Sequence, residues 1–389
     1  MDITIQPAPL RGEVTAIPSK SQAHRLLICA TFADQNTDLL CPQTNRDIEA
    51  TADCLRALGA KIEHTAAGYT VEPIKAVANT ATLDCCESGS TLRFMLPIVC
   101  ALGVDATFKM AGRLPQRPLS PLWEELERMQ CTLTRPTEDT IHCTGKLKPG
   151  KYTIDGSVSS QFITGLLFAQ ALIKGETELE ITGKVESRPY IEMTRRALAL
   201  FGSPNFKSPG TVIVEGDWSN GAFFLAAKAL GCNLSVLGLD NTSAQGDRAV
   251  AEILEKLCNG IAIVSAADIP DLVPILAVVA AAKHGATFTD IRRLRLKESD
   301  RVASVIDMIT ALGGEATADE NSLYVRGTSL RGGTVNSCND HRIAMAAAIA
   351  ATVCSEPVTI LGADAVNKSY PQFWDEYRRL GGKYEQYLR

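Results

Sequence analysis

The segment Ile17-Pro18-Ser19-Lys20-Ser21-Gln22-Ala23-His24-Arg25 is a turn carrying hydroxyls and a lysine, and it runs at once into the apolar stretch Leu26-Leu27-Ile28-Cys29-Ala30. That order predicts a loop opening into a helix. The first N–H groups of a helix have no intrahelical acceptor, and the dipole places partial positive charge there, so such a start attracts anions. Lys20 and Arg25 add two full charges beside it.

The same pattern recurs along the chain. A polar turn, an apolar helix, a Gly or polar break and a strand occupy Ser19–Leu40, Glu87–Met110, Ser157–Ile181, Asp217–Leu239, Asp268–Asp290 and Asn339–Leu361. A second pattern alternates with it: an amphipathic helix, a small-residue stop and a β-hairpin. It begins at Asp47–Ala60 and returns near Leu122–Cys131, Tyr190–Gly202, Arg248–Gly260, Arg301–Gly314 and Tyr370–Gly382. In its first copy Ile48, Ala52, Leu55 and Leu58 recur at helical spacing, and Gly59 supplies the stop. Lys61–His64 and Tyr69–Glu72 alternate like strands across a Gly-containing turn.

The chain therefore reads as six units of roughly 50–70 residues, a period that has to be recognised before a fold is assigned. Their irregular spacing and long apolar helices argue for closed domains, not a linear solenoid. Six units divide into two domains of three, with apolar helices inside and amphipathic helices covering the sheets. The short strand Met1–Pro7 precedes the first unit, so the chain is expected to start in one domain and return to it near Val214–Asp217.

Composition narrows the class. The chain has 389 residues with 46% hydrophobic content, which suits two domains. A net charge of −5 disfavours a nucleic-acid binder. Twelve cysteines without a C-x-x-C pair suggest buried thiols in a reducing compartment. Five dispersed histidines lack zinc-ligand spacing, so no metal is expected. The first residues resemble no signal peptide, and apolar runs such as Ile275–Ala282 are too short to span a bilayer. A cytoplasmic protein is expected.

The six helix starts carry the candidate chemistry. Lys20, Ser21 and Arg25 mark the first. Glu87-Ser88-Gly89-Ser90-Thr91-Leu92-Arg93 forms the second, where Gly89 permits close approach to the backbone. Ser157, Ser159, Ser160 and Gln161 give the third a hydrogen-bonding cluster. Asp217-Trp218-Ser219-Asn220 has no cation, Pro270-Asp271 places a carboxylate at the fifth start, and Arg342 follows Asn339-Asp340-His341 at the sixth. Ser, Thr, Asp and Asn are ordinary caps at such places, and Asp271 alone reads first as a cap. Caps do not require Lys20, Arg25, Arg93 and Arg342 beside them. Three charged or Pro-fixed segments add candidates: Gln116-Arg117-Pro118, Leu294–Arg301 and Val366–Pro371.

Taken in order, Ser19-Lys20-Ser21 with Arg25, Arg93, Arg117-Pro118, Gly156–Gln161, Ser187 with Tyr190-Ile191, Pro270-Asp271, Lys297-Glu298-Ser299-Asp300-Arg301, Asp340-His341-Arg342 and Lys368 resemble the 5-enolpyruvylshikimate-3-phosphate synthase family. The resemblance implies an inside-out α/β barrel of two domains, each with three βαβαββ-type units. It implies a discontinuous domain of 1–19 with 215–389, a second of 20–214, and closure on substrate through hinge strands near 19–20 and 214–216.

It further implies that shikimate 3-phosphate contacts Lys20, Ser21, Arg25, Ser159, Ser160, Gln161, Ser187, Tyr190, Asp271 and Lys297. Phosphoenolpyruvate would contact Lys20, Gly89, Arg117, Gln161, Arg301, Arg342 and Lys368. Asp271, Glu298 and Lys20 are the implied proton-transfer groups, in an addition–elimination that needs no cofactor, and a monomer is implied. Glu87, Phe94 and Arg293 depart from the family's common pattern, where Asn, Pro and Asn are usual. The related UDP-N-acetylglucosamine enolpyruvyl transferase shares the repeat but usually carries a reactive loop cysteine, whereas Cys131 and Cys143 lie in hairpin-like contexts. A non-enzymatic repeat ring around DNA would suit six units but not the acidic balance.

Overall fold

In the computed structural model, which describes residues 1–387, the chain forms two units: Met1–Ile17 with the chain from Gly216 onward, and Pro18–Glu215. The first residues contribute β1 (Asp2–Gln6) and β2 (Arg11–Thr15).

The unit Pro18–Glu215 contains α1 (Lys20–Thr31), β3 (Thr37–Leu40), α2 (Arg46–Ala57), β4 (Lys61–Thr65), β5 (Gly68–Glu72), β6 (Thr80–Asp84), α3 (Gly89–Leu102), β7 (Asp105–Lys109), α4 (Leu122–Arg128), β8 (Thr132–Thr134), β9 (Thr140–Thr144), β10 (Gly150–Asp155), α5 (Ser160–Leu172), β11 (Thr177–Thr182), α6 (Arg188–Leu200) and β12 (Thr211–Ile213). Its sheets are ordered β12-β3-β5-β4, β6-β7-β9-β8 and β10-β11. The other unit continues with α7 (Trp218–Ala229), β13 (Asn233–Leu237), α8 (Val250–Asn259), β14 (Ala262–Ser265), α9 (Val273–Ala282), β15 (Gly285–Thr289), α10 (Arg301–Ala311), β16 (Glu315–Ala318), β17 (Ser322–Arg326), β18 (Gly333–Asn336), α11 (His341–Ala350), β19 (Val358–Leu361), α12 (Phe373–Arg379) and β20 (Lys383–Tyr387). Its sheets are β13-β2, β14-β15-β17-β16 and β18-β19-β1-β20.

Each apolar helix expected from the first pattern is present. Hydroxyl and carboxylate caps begin five of them: Ser19, Ser88, Ser159, Asp217 and Asp340 each accept a backbone N–H from the first turn. Val273–Ala281 of α9 and all of α11 are buried, as expected of helices that are apolar all round. The amphipathic α2 buries Ile48, Ala52 and Leu55 and exposes Asp53. After it Gly59 takes φ +115°, where a Cβ would stand 2.8 Å from the Ala76 carbonyl oxygen.

Among the described residues the expected hairpin follows three amphipathic helices, as β4–β5, β8–β9 and β16–β17. Elsewhere a strand distant in sequence takes the place. β1 lies between β19 and β20, antiparallel to both, and β12 joins β3 in parallel. Backbone pairing satisfies an edge equally well from a remote strand, so local alternation does not reveal the exchange. Among the described residues no helix is long and apolar enough to cross a membrane.

Candidate active site

In the unit Pro18–Glu215 the candidate residues gather at the starts of α1, α3 and α5. Lys20 opens α1, and its Nζ lies 3.0 Å from Asp47 Oδ2. Ser21 follows; its carbonyl accepts from Arg25 Nη1 at 2.6 Å. Arg25 is buried and also donates to Thr194 Oγ1 (2.8 Å), the Tyr190 carbonyl (2.9 Å) and Thr164 Oγ1 (3.3 Å). Among the described residues these account for four of its five N–H bonds. Burial brings its guanidinium down to about 10, against opposition from Tyr190.

Gly89 opens α3 between two arginines. A Cβ on it would stand 2.5 Å from Arg93 Nη1 and 2.6 Å from Arg117 Nη1, so the missing side chain is what lets both guanidiniums close on this helix start. Arg93 donates to Gln161 Oε1 (3.2 Å) and the Pro118 carbonyl (3.1 Å), and Gln161 Nε2 donates to Ser90 Oγ (2.9 Å). Gln161 thus ties α5 to the first turn of α3. Gly165 allows the approach, since a Cβ there would fall 2.2 Å from the Arg93 carbonyl oxygen. Ser159 caps α5, the buried Ser160 follows it, and Ser187 sits just before α6 at φ +55°. The Glu87 carboxylate lies against Gly112, whose Cβ position would be 2.5 Å from Oε2.

In the other unit the candidates surround Asp271. Its Oδ1 accepts from Arg301 Nη1 at 2.8 Å, its Oδ2 accepts from Arg342 Nη2 at 2.9 Å, and Lys297 Nζ stands 3.7 Å from Oδ1. Burial pushes the carboxyl up, but Arg342, Lys297 and Arg301 outweigh it and hold it well below the usual carboxylate range. The expectation that Asp271 caps α9 is therefore corrected. That helix begins after Leu272 with Pro274 in its first turn and has no side-chain cap bond.

Arg301 is the hub of this cluster. Only 1% of its side chain is exposed, and it donates to Asp340 Oδ2 (3.0 Å) and Glu298 Oε2 (2.6 Å) besides Asp271. Asp340 also accepts from Ser299 Oγ (3.1 Å) and from the Arg342 N–H (2.9 Å). Burial brings Lys297 down to about 8, with Asp271 opposing. Lys368 Nζ donates to the Asn339 carbonyl (2.8 Å), in the turn that leads into α11.

Several residues of these networks carry no mark in the sequence. Asp47 resembles any acid in the first turn of a helix, and Thr164 and Thr194 any hydroxyl on a packed one. Asp340 stood in a motif without a role. Asp247 is buried beside Ser219, whose Oγ donates to its Oδ2; burial first, then Asp271, push its carboxyl up to about 7.

Both clusters offer fixed arginines and lysines near helix starts, the equipment for a substrate bearing phosphate and carboxylate. Comparison with known proteins gives the family. The sequence model of the family EPSP synthase (3-phosphoshikimate 1-carboxyvinyltransferase) matches residues 5–264 and 258–377. The 3-phosphoshikimate 1-carboxyvinyltransferase of Clostridium kluyveri is 37% identical over 99% of this chain and 98% of its own length. That of Clostridium novyi is also 37% identical, over 98% of each chain. An EPSP synthase structure from Acinetobacter baumannii has the same fold, with a TM-score of 0.80 at 23% identity and full coverage of both chains. The chain belongs to the EPSP synthase (3-phosphoshikimate 1-carboxyvinyltransferase) family.

Proposed function

We propose that the chain transfers the enolpyruvyl group of phosphoenolpyruvate to the 5-hydroxyl of shikimate 3-phosphate and releases phosphate. The observation that carries this reading is the Asp271 carboxylate held by Arg301, Arg342 and Lys297. A carboxylate so held is a weak base. Anionic substrate competes for Arg342 and Lys297, and as they turn to it the proton affinity of Asp271 rises. The base is thereby switched on by the ligand whose hydroxyl it deprotonates.

In this reading the 5-hydroxyl attacks C2 of phosphoenolpyruvate while C3 gains a proton. The tetrahedral intermediate then expels phosphate and loses a C3 proton. Asp271 takes the hydroxyl proton, and Glu298 and Lys20 serve the proton transfers at C3. Lys20, Ser21, Arg25, Ser159, Ser160, Gln161, Ser187, Tyr190 and Lys297 hold shikimate 3-phosphate, with Asp271. Lys20, Gly89, Arg117, Gln161, Arg301, Arg342 and Lys368 hold phosphoenolpyruvate. The cations also offset charge on the departing phosphate. A monomer in the cytoplasm, working without a cofactor, belongs to the same proposal.

A UDP-sugar acceptor is the other enolpyruvyl transfer to test. It goes with a reactive thiolate, whereas Cys131 and Cys143 are buried here. Burial, then Asp84, push the exposed Cys86 up to about 11. The test is phosphate release from phosphoenolpyruvate with shikimate 3-phosphate, beside a UDP-N-acetylglucosamine control. Release with shikimate 3-phosphate alone, lost in Lys20→Met, is expected. Release with the UDP-sugar alone would overturn the substrate.

A further inference from the structure

Helix α1 meets α2 through two rungs, one helical turn apart on each side. The first is the ion pair Lys20–Asp47 (3.0 Å), and the second is His24 Nδ1 to Thr51 Oγ1 (2.7 Å). The second rung continues. Thr51 Oγ1 lies 2.7 Å from Thr91 Oγ1 on α3, and Thr91 Oγ1 lies 2.8 Å from Ser88 Oγ, the cap of that helix. Asp47 closes the loop from the other side, because its backbone carbonyl accepts from Thr91 Oγ1 at 3.4 Å.

We propose that His24, Thr51 and Thr91 form a positioning chain, which sets the helix start bearing Lys20 against the helix start bearing Gly89 and Arg93. The proposal rests on the assignment of those two starts to substrate anions. Thr51 is the centre, since its single hydroxyl is shared between a group on α1 and a group on α3. His24, Thr51, Thr91 and Ser88 are all at most 1% exposed, so water does not replace a broken link.

The placement separates this network from an ordinary core histidine. His24 stands one turn after Lys20 and directly before Arg25, while Thr91 lies between Gly89 and Arg93. The ring also stays neutral: burial, then Lys20 and Arg25, hold its pKa well below the ordinary value. His24 therefore adds no charge of its own to the anion site. Its edge meets the Phe94 ring at an interplanar angle of 88°, and the Arg25 guanidinium lies over the same ring, 5.2 Å from its centroid. Phe94, a departure from the family's usual proline, thus braces the chain at its α1 end.

The test uses Thr51→Val, which keeps shape and removes the shared hydroxyl, and Thr51→Ser, which restores it. A shift of about 1 Å in one group costs up to ~100-fold in rate. The expected result is a fall in kcat/KM for phosphoenolpyruvate of about 10-fold or more in folded Thr51→Val, with Thr51→Ser within about 3-fold of the parent. A Thr51→Val protein that melts earlier but keeps both KM values and kcat would overturn the proposal.

Amide hydrogen exchange gives a readout independent of turnover. In Thr51→Val exchange should rise together at residues 19–25 and 88–93, and a rise at one segment alone, or at neither, would sink the positioning chain. A parent protein that releases no phosphate would instead remove the reaction assignment, and the exchange pattern would still decide the coupling.

Discussion

Arg342 Nη2 stands 2.9 Å from Asp271 Oδ2, so a proposed phosphoenolpyruvate ligand and the proposed base hold one another. Arg342 is also the largest of the three cationic influences that depress the Asp271 carboxyl. Arg342→Gln should raise KM for phosphoenolpyruvate by about 10- to 100-fold and move the acid limb of the pH–kcat/KM profile upward. The sign follows from the lost cation: Asp271 then protonates at higher pH, and activity falls sooner on acidification. An acid limb that stays in place would separate Asp271 from the base role.

Lys297 supplies a second pH dependence on the alkaline side. Its ammonium is held near 8, below the ordinary lysine value, by burial. It is charged below that pH and neutral above it, so the free enzyme loses the charge of a proposed shikimate 3-phosphate ligand as pH rises. KM for shikimate 3-phosphate should climb above pH 8, by about tenfold per unit at the limit. Lys297→Arg should flatten this rise, because a guanidinium stays charged. A rise of equal steepness in Lys297→Arg would exclude Lys297 as its source.

The helix start at Gly89 predicts a split between the substrates. In Gly89→Ala the new methyl meets Arg93 Nη1 and Arg117 Nη1, which must retreat. KM for phosphoenolpyruvate should rise by on the order of 10-fold or more, while affinity for shikimate 3-phosphate stays within about 3-fold. Equal losses for both would show that the arginines do not serve phosphoenolpyruvate selectively. Titration of each substrate separately settles it.

Arg301 and Asp340 predict a stability effect. Both side chains are at most 1% exposed, and the Nε–Oδ2 distance is 3.0 Å. Asp340→Ala leaves the guanidinium with less compensation and also removes the cap of α11. Loss of about 3–5 kcal/mol is expected in the unit that contains them, read as a lowered urea midpoint. A midpoint within experimental error of the parent would show that Glu298 and Asp271 suffice to hold Arg301.

The repeat, the helix order and the polar starts were readable because each rests on local chemistry. Hydroxyl caps, apolar runs and glycine stops act within a turn or two of the chain. What escaped reading depends on partners far away in sequence. Asp271 reads as a cap because Pro270-Asp271 precedes an apolar run, yet its side chain is taken by arginines 30 and 71 positions further on. Asp47 and Thr51 escaped because an amphipathic helix admits polar residues on several faces. The missing hairpins have the same origin: β1 takes a place in a sheet whose other strands come from the last part of the chain.

That placement of β1 has a consequence for synthesis. Residues 18–215 form a contiguous unit and have all their strands once Ile213 has emerged. The other unit has its first strands from the start but cannot close the sheet β18-β19-β1-β20 until β20 is made. On the ribosome β1 and β2 therefore wait, unpaired, while the whole of the other unit is produced. Their brevity, five residues each, and the Pro7 and Pro9 between them limit what such a waiting segment can aggregate with. β2 meets its partner β13 soon after the unit of residues 18–215 is made, whereas β1 meets its neighbour β20 only once residues 383–387 follow.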